Sequence, residues 1–276
     1  MKEIEKLIYG FYPEKEIWRV NLAFLILIST VTLAFFVKSK FKIYILFFLI
    51  FIFPLIGFTL INGGFGLERV ETRVWGGLTL TFILTFFGII VAFPLGVLLA
   101  LGRRSELPIF RFFSILFIEF WRGIPLLTVI FAAAIMFPIF LPANSNVDKL
   151  LRVAIGISIF EATYVAEVVR GGLQSLPKGQ YEAAKSLGMG YWKMNFLIIL
   201  PQAIKTVIPG ITNTFIALFK DTPLIILVGL LEILGMINLA KSNSYWLGLA
   251  TEGYVFVAII FFVFSYSLSK YTQSLE

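Results

Sequence analysis

Four acids (Glu161, Glu167, Asp221 and Glu232, the last with no assigned role) and one base (Lys220) interrupt stretches that are otherwise apolar. Lys220 and Asp221 are adjacent inside the run 206–240, and Glu161 and Glu167 sit inside the run 153–169. A charge at the centre of a membrane helix costs roughly 2.5–3.5 kcal/mol on insertion scales, so such groups face a cavity or a partner. If the later run crosses at about 209–232, Lys220 and Asp221 stand at its centre. On a helix Asn213 shares a face with Lys220, and Thr214 with Asp221. Lys220 and Asp221 supply one cation and one anion, about 100° apart on an ideal helix. Thr222 and Pro223 follow, and the proline permits a local break that exposes backbone groups at membrane depth. The same residues also fit a structural role, with Lys220 neutralising Asp221 or Glu161 and tying two helices together. Glu167 and Arg170 read as a local i,i+3 pair.

Other chemistry is missing from the sequence. The 276 residues contain no His and no Cys. That removes disulfides, thiol nucleophiles, the usual transition-metal sites and His-based proton transfer. No nucleophile–base pair is visible, and no G-x-x-x-x-G-K-[S/T] phosphate loop occurs, so neither catalytic residues nor ATP hydrolysis are expected of this chain. No metal site is expected either.

The elements that hold these charges are membrane helices. Hydrophobic residues make up 59% of the chain and charged residues 14%, with 31 Phe, against roughly 45–50% and about 25% in soluble domains. Together with a mean hydropathy of +0.94, this excludes a soluble enzyme, a disordered tail and a fibrous repeat. The chain is expected to be an all-α polytopic membrane protein. Apolar runs at 20–37, 43–67, 74–102, 123–147, 153–169, 206–240 and 253–269 give about seven spans. The first 19 residues alternate acid and base without an apolar core, which argues against a cleavable signal peptide.

Basic residues cluster on the C-terminal side of the membrane, at Lys38, Lys40 and Lys42, at Arg103, Arg104, Arg111 and Arg122, and from Arg170 to Lys205. Acids such as Glu3, Glu5, Glu14, Glu16, Glu68 and Glu71 gather opposite. The positive-inside rule then places the N-terminus outside and the C-terminus in the cytoplasm. On that topology the net charge of +7 needs no nucleic acid to explain it.

The longest charged connection begins at Arg170. Pro177 and Gly179 open a turn, 180–187 is a good helix former, and Gly188 and Gly190 end it. Its spacing is Glu182-Ala183-Ala184, then Gly188, then Ile198, then Leu200-Pro201. This resembles the EAA signature of ABC-importer permeases, EAA-x3-G-x9-I-x-L-P, at all seven fixed positions. At about one in twenty per residue, chance agreement is on the order of 10⁻⁶ or less. Physically this is a docking joint. A short rigid helix seats in a nucleotide-binding subunit, Ala183 and Ala184 allow close approach, Glu182 pairs with a base or caps amides, and Gly188 turns the chain back to the membrane.

Further stretches resemble the polar amino acid permeases: Arg122-Gly123-Ile124-Pro125-Leu126-Leu127, Tyr164 to Ser175 around Ala166-Glu167 and Arg170-Gly171-Gly172, and Asn213 to Thr222. The runs 70–77, 10–13 and 18–21 resemble the general L-amino acid branch. Beside that branch the chain starts late and is expected to lack the first span and the outer segment after it.

The resemblance implies a MetI-like transmembrane fold. A five-helix permease core (71–276) with a cytoplasmic coupling loop at 171–204 follows an N-terminal segment (1–70) with two accessory spans. Coupling falls to Gly179, Glu182, Ala183, Ala184, Gly188, Ile198, Leu200 and Pro201. The substrate pathway falls to Lys220, Asp221, Thr222, Thr214, Asn213 and Glu161, whose charges suit a zwitterionic amino acid. Implied partners are an ABC ATPase subunit carrying ATP-Mg, a second permease subunit (a heterodimer before a homodimer), a periplasmic amino-acid-binding protein and membrane lipid. No cofactor is bound by this chain. The implied location is the bacterial cytoplasmic (inner) membrane. A stand-alone secondary transporter or channel, with Lys220 and Asp221 as coupling charges, is the competing reading. It leaves the EAA spacing unexplained.

Overall fold

The computed structural model describes residues 2–37, 39–142, 147–242, 246 and 248–273. Lys38, which enters the charge distribution above, lies outside them. In chain order the α-helices are α1 (Lys2–Tyr9), α2 (Ile17–Phe36), α3 (Ser39–Phe47), α4 (Phe53–Asn62), α5 (Gly77–Arg103), α6 (Pro108–Arg122), α7 (Leu126–Phe131), α8 (Lys149–Ser175), α9 (Lys178–Ser186), α10 (Tyr191–Met194), α11 (Leu200–Thr206), α12 (Ile208–Asp221), α13 (Ile233–Ala240) and α14 (Ala250–Gln273). No β-strand forms among the described residues, as expected for a chain that must satisfy its backbone inside lipid.

Five stretches are long and apolar enough to cross a membrane: Glu14–Ala34, Phe41–Asn62, Gly77–Arg103, Ile208–Val228 and Ala250–Gln273. The pair Pro108–Arg122 and Leu126–Phe140 passes only as a broken span bent by 99°, which makes up to six. Helix α8, at 27 residues, is about 40 Å long at about 1.5 Å per residue. Its length would span, but it carries Lys149, Arg152, Glu161, Glu167 and Arg170. Seven spans are compatible with these helices, while five to six meet both criteria.

The run 206–240 breaks at Pro223: α12 ends at Asp221, a 3-10 stretch covers Thr222–Val228, and α13 is separate. Pro223 lacks the N–H that would continue the α-helical ladder, and Lys220 and Asp221 stand near the middle of the span Ile208–Val228. The segment before Gly123 is also helical. It forms α6, opened by Pro108, with Ile118 buried and Phe110, Phe112, Phe113 and Phe120 exposed.

The chain divides into two compact units, Met1–Phe87 with Thr222–Val257 and Gly88–Asp221 with Ala258–Glu276. In the first, α1 packs on α13. Thr79 Oγ1 donates to Ile8 O at 2.8 Å, Phe11 N to Val74 O at 3.1 Å, and Gly77 N to Leu231 O at 2.9 Å. Tyr12 Oη reaches Ile61 O at 2.8 Å, and buried Arg19 reaches Glu68 O at 2.7 Å. Glu232, fully buried, caps α13 by accepting from Leu234 N (3.0 Å) and Gly235 N (2.8 Å). Aromatic contacts such as Phe53 on Phe86 and Phe24 on Phe82 add to these hydrogen bonds within the unit.

The second unit is built on α8. Its core joins Val97, Ala100 and Leu101 of α5, Ile118 of α6, Val165, Ala166, Val169 and Leu173 of α8, and Ala184, Met194, Ile199, Leu200 and Ala203 beyond it. At Gly172 a Cβ would stand 2.5 Å from Ala203 O, so only glycine lets α8 and α11 lie this close. Beyond α7 the chain widens into a π-turn (Ala132–Met136) and tightens to 3-10 at Phe137–Phe140. Pro138 has no N–H for Ala134 O, and Arg152 Nη1 takes that carbonyl at 2.7 Å and Ala133 O at 3.2 Å.

Candidate coupling surface and transport pathway

Helix α9 is fastened on one side and bare on the other. Tyr181 Oη accepts from Arg104 Nη1 at 3.0 Å and donates to Leu173 O at 3.0 Å, and the Arg104 guanidinium lies over the Tyr181 ring. Gln202 Nε2 donates to Gln180 Oε1 at 3.2 Å. The helix ends in a Schellman motif. Met189 N donates to Ala184 O (3.2 Å) and Gly188 N to Lys185 O (2.9 Å), with Gly188 at φ 73°. A left-handed residue there reverses the chain toward α10. Burial pushes the Tyr191 hydroxyl at that return above the usual tyrosine range.

The two alanines of the signature separate. Ala184 is 1% exposed and packs in the core described above, whereas Ala183 faces out. The expectation that both serve close approach to a partner is corrected: Ala184 lets α9 lie against its own chain. Glu182, Ala183 and Gly179 are exposed, and Leu187 is 79% exposed. The Glu182 carboxylate makes no hydrogen bond or ion pair among the described residues; its backbone carbonyl accepts from Ser186 Oγ at 3.0 Å. Ile198 is half-buried and Leu200 buried, while Pro201 is exposed in the first turn of α11. A π-turn over Asn195–Ile199 precedes it and accommodates a residue that cannot donate its N–H.

On α12, Asn213, Ala217 and Lys220 form an exposed stripe at helical spacing. Lys220 makes no hydrogen bond or ion pair among the described residues. Asp221 is half-buried. Glu161, 3% exposed on α8, makes no side-chain hydrogen bond among the described residues either. Among the described residues neither Glu161 nor Asp221 forms an ion pair with Lys220. Thr214 is buried, and its hydroxyl donates to Gly210 O at 3.1 Å, within its own helix. Thr222 is fully buried at the start of the 3-10 stretch.

Sequence reasoning missed the setting of Glu167. Arg170 does hold it, through Nε at 3.2 and 3.1 Å and Nη2 at 2.8 Å. Arg103 Nη1 also reaches it at 2.9 Å and Arg122 Nη1 at 3.8 Å, while Arg103 bridges to Glu119 at 2.8 Å. The two added arginines lie tens of residues away in the chain, where no local pattern could find them.

The family described as binding-protein-dependent transport system inner membrane component matches residues 92–273. The chain is similar to the inner membrane amino-acid ABC transporter permease protein YhdY of Escherichia coli strain K12, at 53% identity over 273 residues, covering 98% of this chain and 74% of that protein. It is 48% identical over 211 residues to the glutamate/glutamine/aspartate/asparagine transport system permease protein BztC of Rhodobacter capsulatus, covering 76% of this chain and 49% of BztC, about half its length. A solved amino acid ABC transporter with histidines matches at TM-score 0.62 and 30% identity, covering 72% of this chain and 91% of that one. The chain belongs to the binding-protein-dependent transport system inner membrane components, among the amino-acid ABC transporter permeases.

Proposed function

We propose that this chain is the permease subunit of an ABC importer that moves L-amino acids, polar or broad in range, into the cytoplasm. A separate ATPase subunit drives it by docking on the loop 171–204. The observation that carries this reading is α9, tied to the spans by Tyr181 and Ala184 and open to a partner at Gly179, Glu182, Ala183 and Leu187. ATP-Mg belongs to that partner. The chain is a multi-pass inner-membrane protein with its N-terminus outside and its C-terminus in the cytoplasm. Residues 71–276 act as the transport core and 1–70 as an accessory anchor.

A second permease, a different chain before a second copy, covers the polar stripe of α12. A periplasmic amino-acid-binding protein delivers substrate. Lys220 receives the substrate carboxylate, Asp221 and Glu161 its ammonium, and Asn213 orients it from the same helix face.

The test is purification of the chain from its native membrane in mild detergent, with identification of co-purifying proteins. An ATPase subunit in fixed ratio, lost in Glu182→Lys, is the expected result. A chain that purifies alone and moves solute in liposomes without ATP overturns the reading.

A further inference from the structure

The charge cluster around Glu167 adds directed contacts between the ends of α5, α6 and α8, which also share the apolar core. Glu167 is 16% exposed, and its carboxylate meets three guanidiniums from three helices, Arg103 at the end of α5, Arg122 at the end of α6 and Arg170 on α8. Arg103 also holds Glu119 of α6. The next residue after Arg103 is Arg104, whose guanidinium both stacks on and donates to Tyr181 of α9. Tyr181 in turn donates to Leu173 O, one turn beyond Arg170 on α8. The circuit closes: charge-assisted contacts connect the end of α5 with α6, α8 and α9, and the neutral Tyr181–Leu173 hydrogen bond connects α9 with α8. Charge-assisted and bidentate hydrogen bonds of this kind are the stronger ones, and they fix geometry as well as charge.

Removing the one central anion leaves three cations facing each other. The arrangement therefore holds only while these helix ends stay at their present spacing. A displacement of α9 that shifts Arg104 also shifts Arg103, its neighbour, and so reaches Glu167.

We propose that Glu167 is a positioning residue that locks the ends of α5, α6 and α8 together, so that movement of α9 reaches the spans as one displacement. It touches no substrate. This rests on the importer reading above and says how that importer is coupled.

The experiment uses the full complex of this chain with its partner permease, ATPase and binding protein in proteoliposomes. ATP hydrolysis and uptake are measured side by side. Glu167→Gln is expected to keep hydrolysis near wild type while the uptake per ATP falls about tenfold, the scale of a typical coupling energy. Glu167→Asp is expected to restore part of the ratio. Tyr181→Phe, which removes only the hydroxyl link, is expected to lower the ratio in the same direction. Its effect should not add to that of Glu167→Gln in the double variant.

An unchanged ratio in Glu167→Gln overturns the lock. If Glu167→Gln does not assemble, Tyr181→Phe decides, and a wild-type ratio there overturns the lock equally. A wild-type complex whose uptake ignores ATP overturns the importer reading itself, and the lock with it.

Discussion

Glu182 of α9 and Lys220 of α12 each carry a charge without an ion pair among the described residues, in opposite settings. Glu182 of α9 stands exposed in a polar helix, where an unpartnered carboxylate costs almost nothing. Lys220 and Asp221 of α12 stand within the apolar span Ile208–Val228, where each charge costs roughly 2.5–3.5 kcal/mol unless a partner or water meets it. The lesson is that exposure means different things at the two sites. On α9 a bare carboxylate is energetically silent, and only the spacing of its signature points to a partner. On α12 the cost itself points to a partner or a filled pathway, since neither Lys220 nor Glu161 forms a hydrogen bond among the described residues.

The sharpest way to break this contrast is charge reversal at α9. Glu182→Lys is expected to abolish uptake, with a loss of roughly a hundredfold or more in ATPase affinity, while membrane insertion is unchanged. Co-purification of the ATPase measures it, and full recovery of the complex would leave α9 as a merely exposed helix.

Next in size are Lys220→Ala and Asp221→Ala. Each removes a charge-assisted contact worth about 1.5–3 kcal/mol, so transport affinity is expected to fall by roughly ten- to a hundredfold. Thermal stability in detergent should hold or rise, because an apolar span loses a charge. A fall in stability with unchanged affinity would return these residues to a structural role.

The two alanines sharpen the comparison from inside α9. Ala184→Leu overpacks the core and is expected to destabilise by about 1–3 kcal/mol. Ala183→Leu should leave the melting temperature in place and weaken only ATPase docking. Equal effects at the two positions would show that the helix does not sit with one face inward.

The smallest effect is expected at Thr214→Val. Its hydroxyl is engaged with Gly210 O, so uptake should change less than about threefold, within the range of one weak hydrogen bond. A larger change, read by transport kinetics, would put Thr214 in the pathway.

Much of this molecule is legible along the chain because helix hydrogen bonds are local. The apolar runs mark α2, the helices from α3 to α4, α5 and α14. Pro177 and Gly188 bound α9, and the spacing from Glu182 to Pro201 identifies the loop before any coordinate is known. Proline positions anticipate a break after Asp221, since a missing N–H acts on the turn that contains it.

Packing and charge pairing are not local, and the fold alone settled them. Ala183 and Ala184 are the same residue type at adjacent positions, and only the packing of α9 on α10 and on the π-turn Asn195–Ile199 buries one and leaves the other exposed. Glu167 and Arg170 read as a pair within one helix, yet which further cations surround Glu167 depends on where α5 and α6 end in space. Lys220, Asp221 and Glu161 could have neutralised one another by charge alone. The directions in which their helices hold them leave Lys220 without an ion pair to either acid among the described residues.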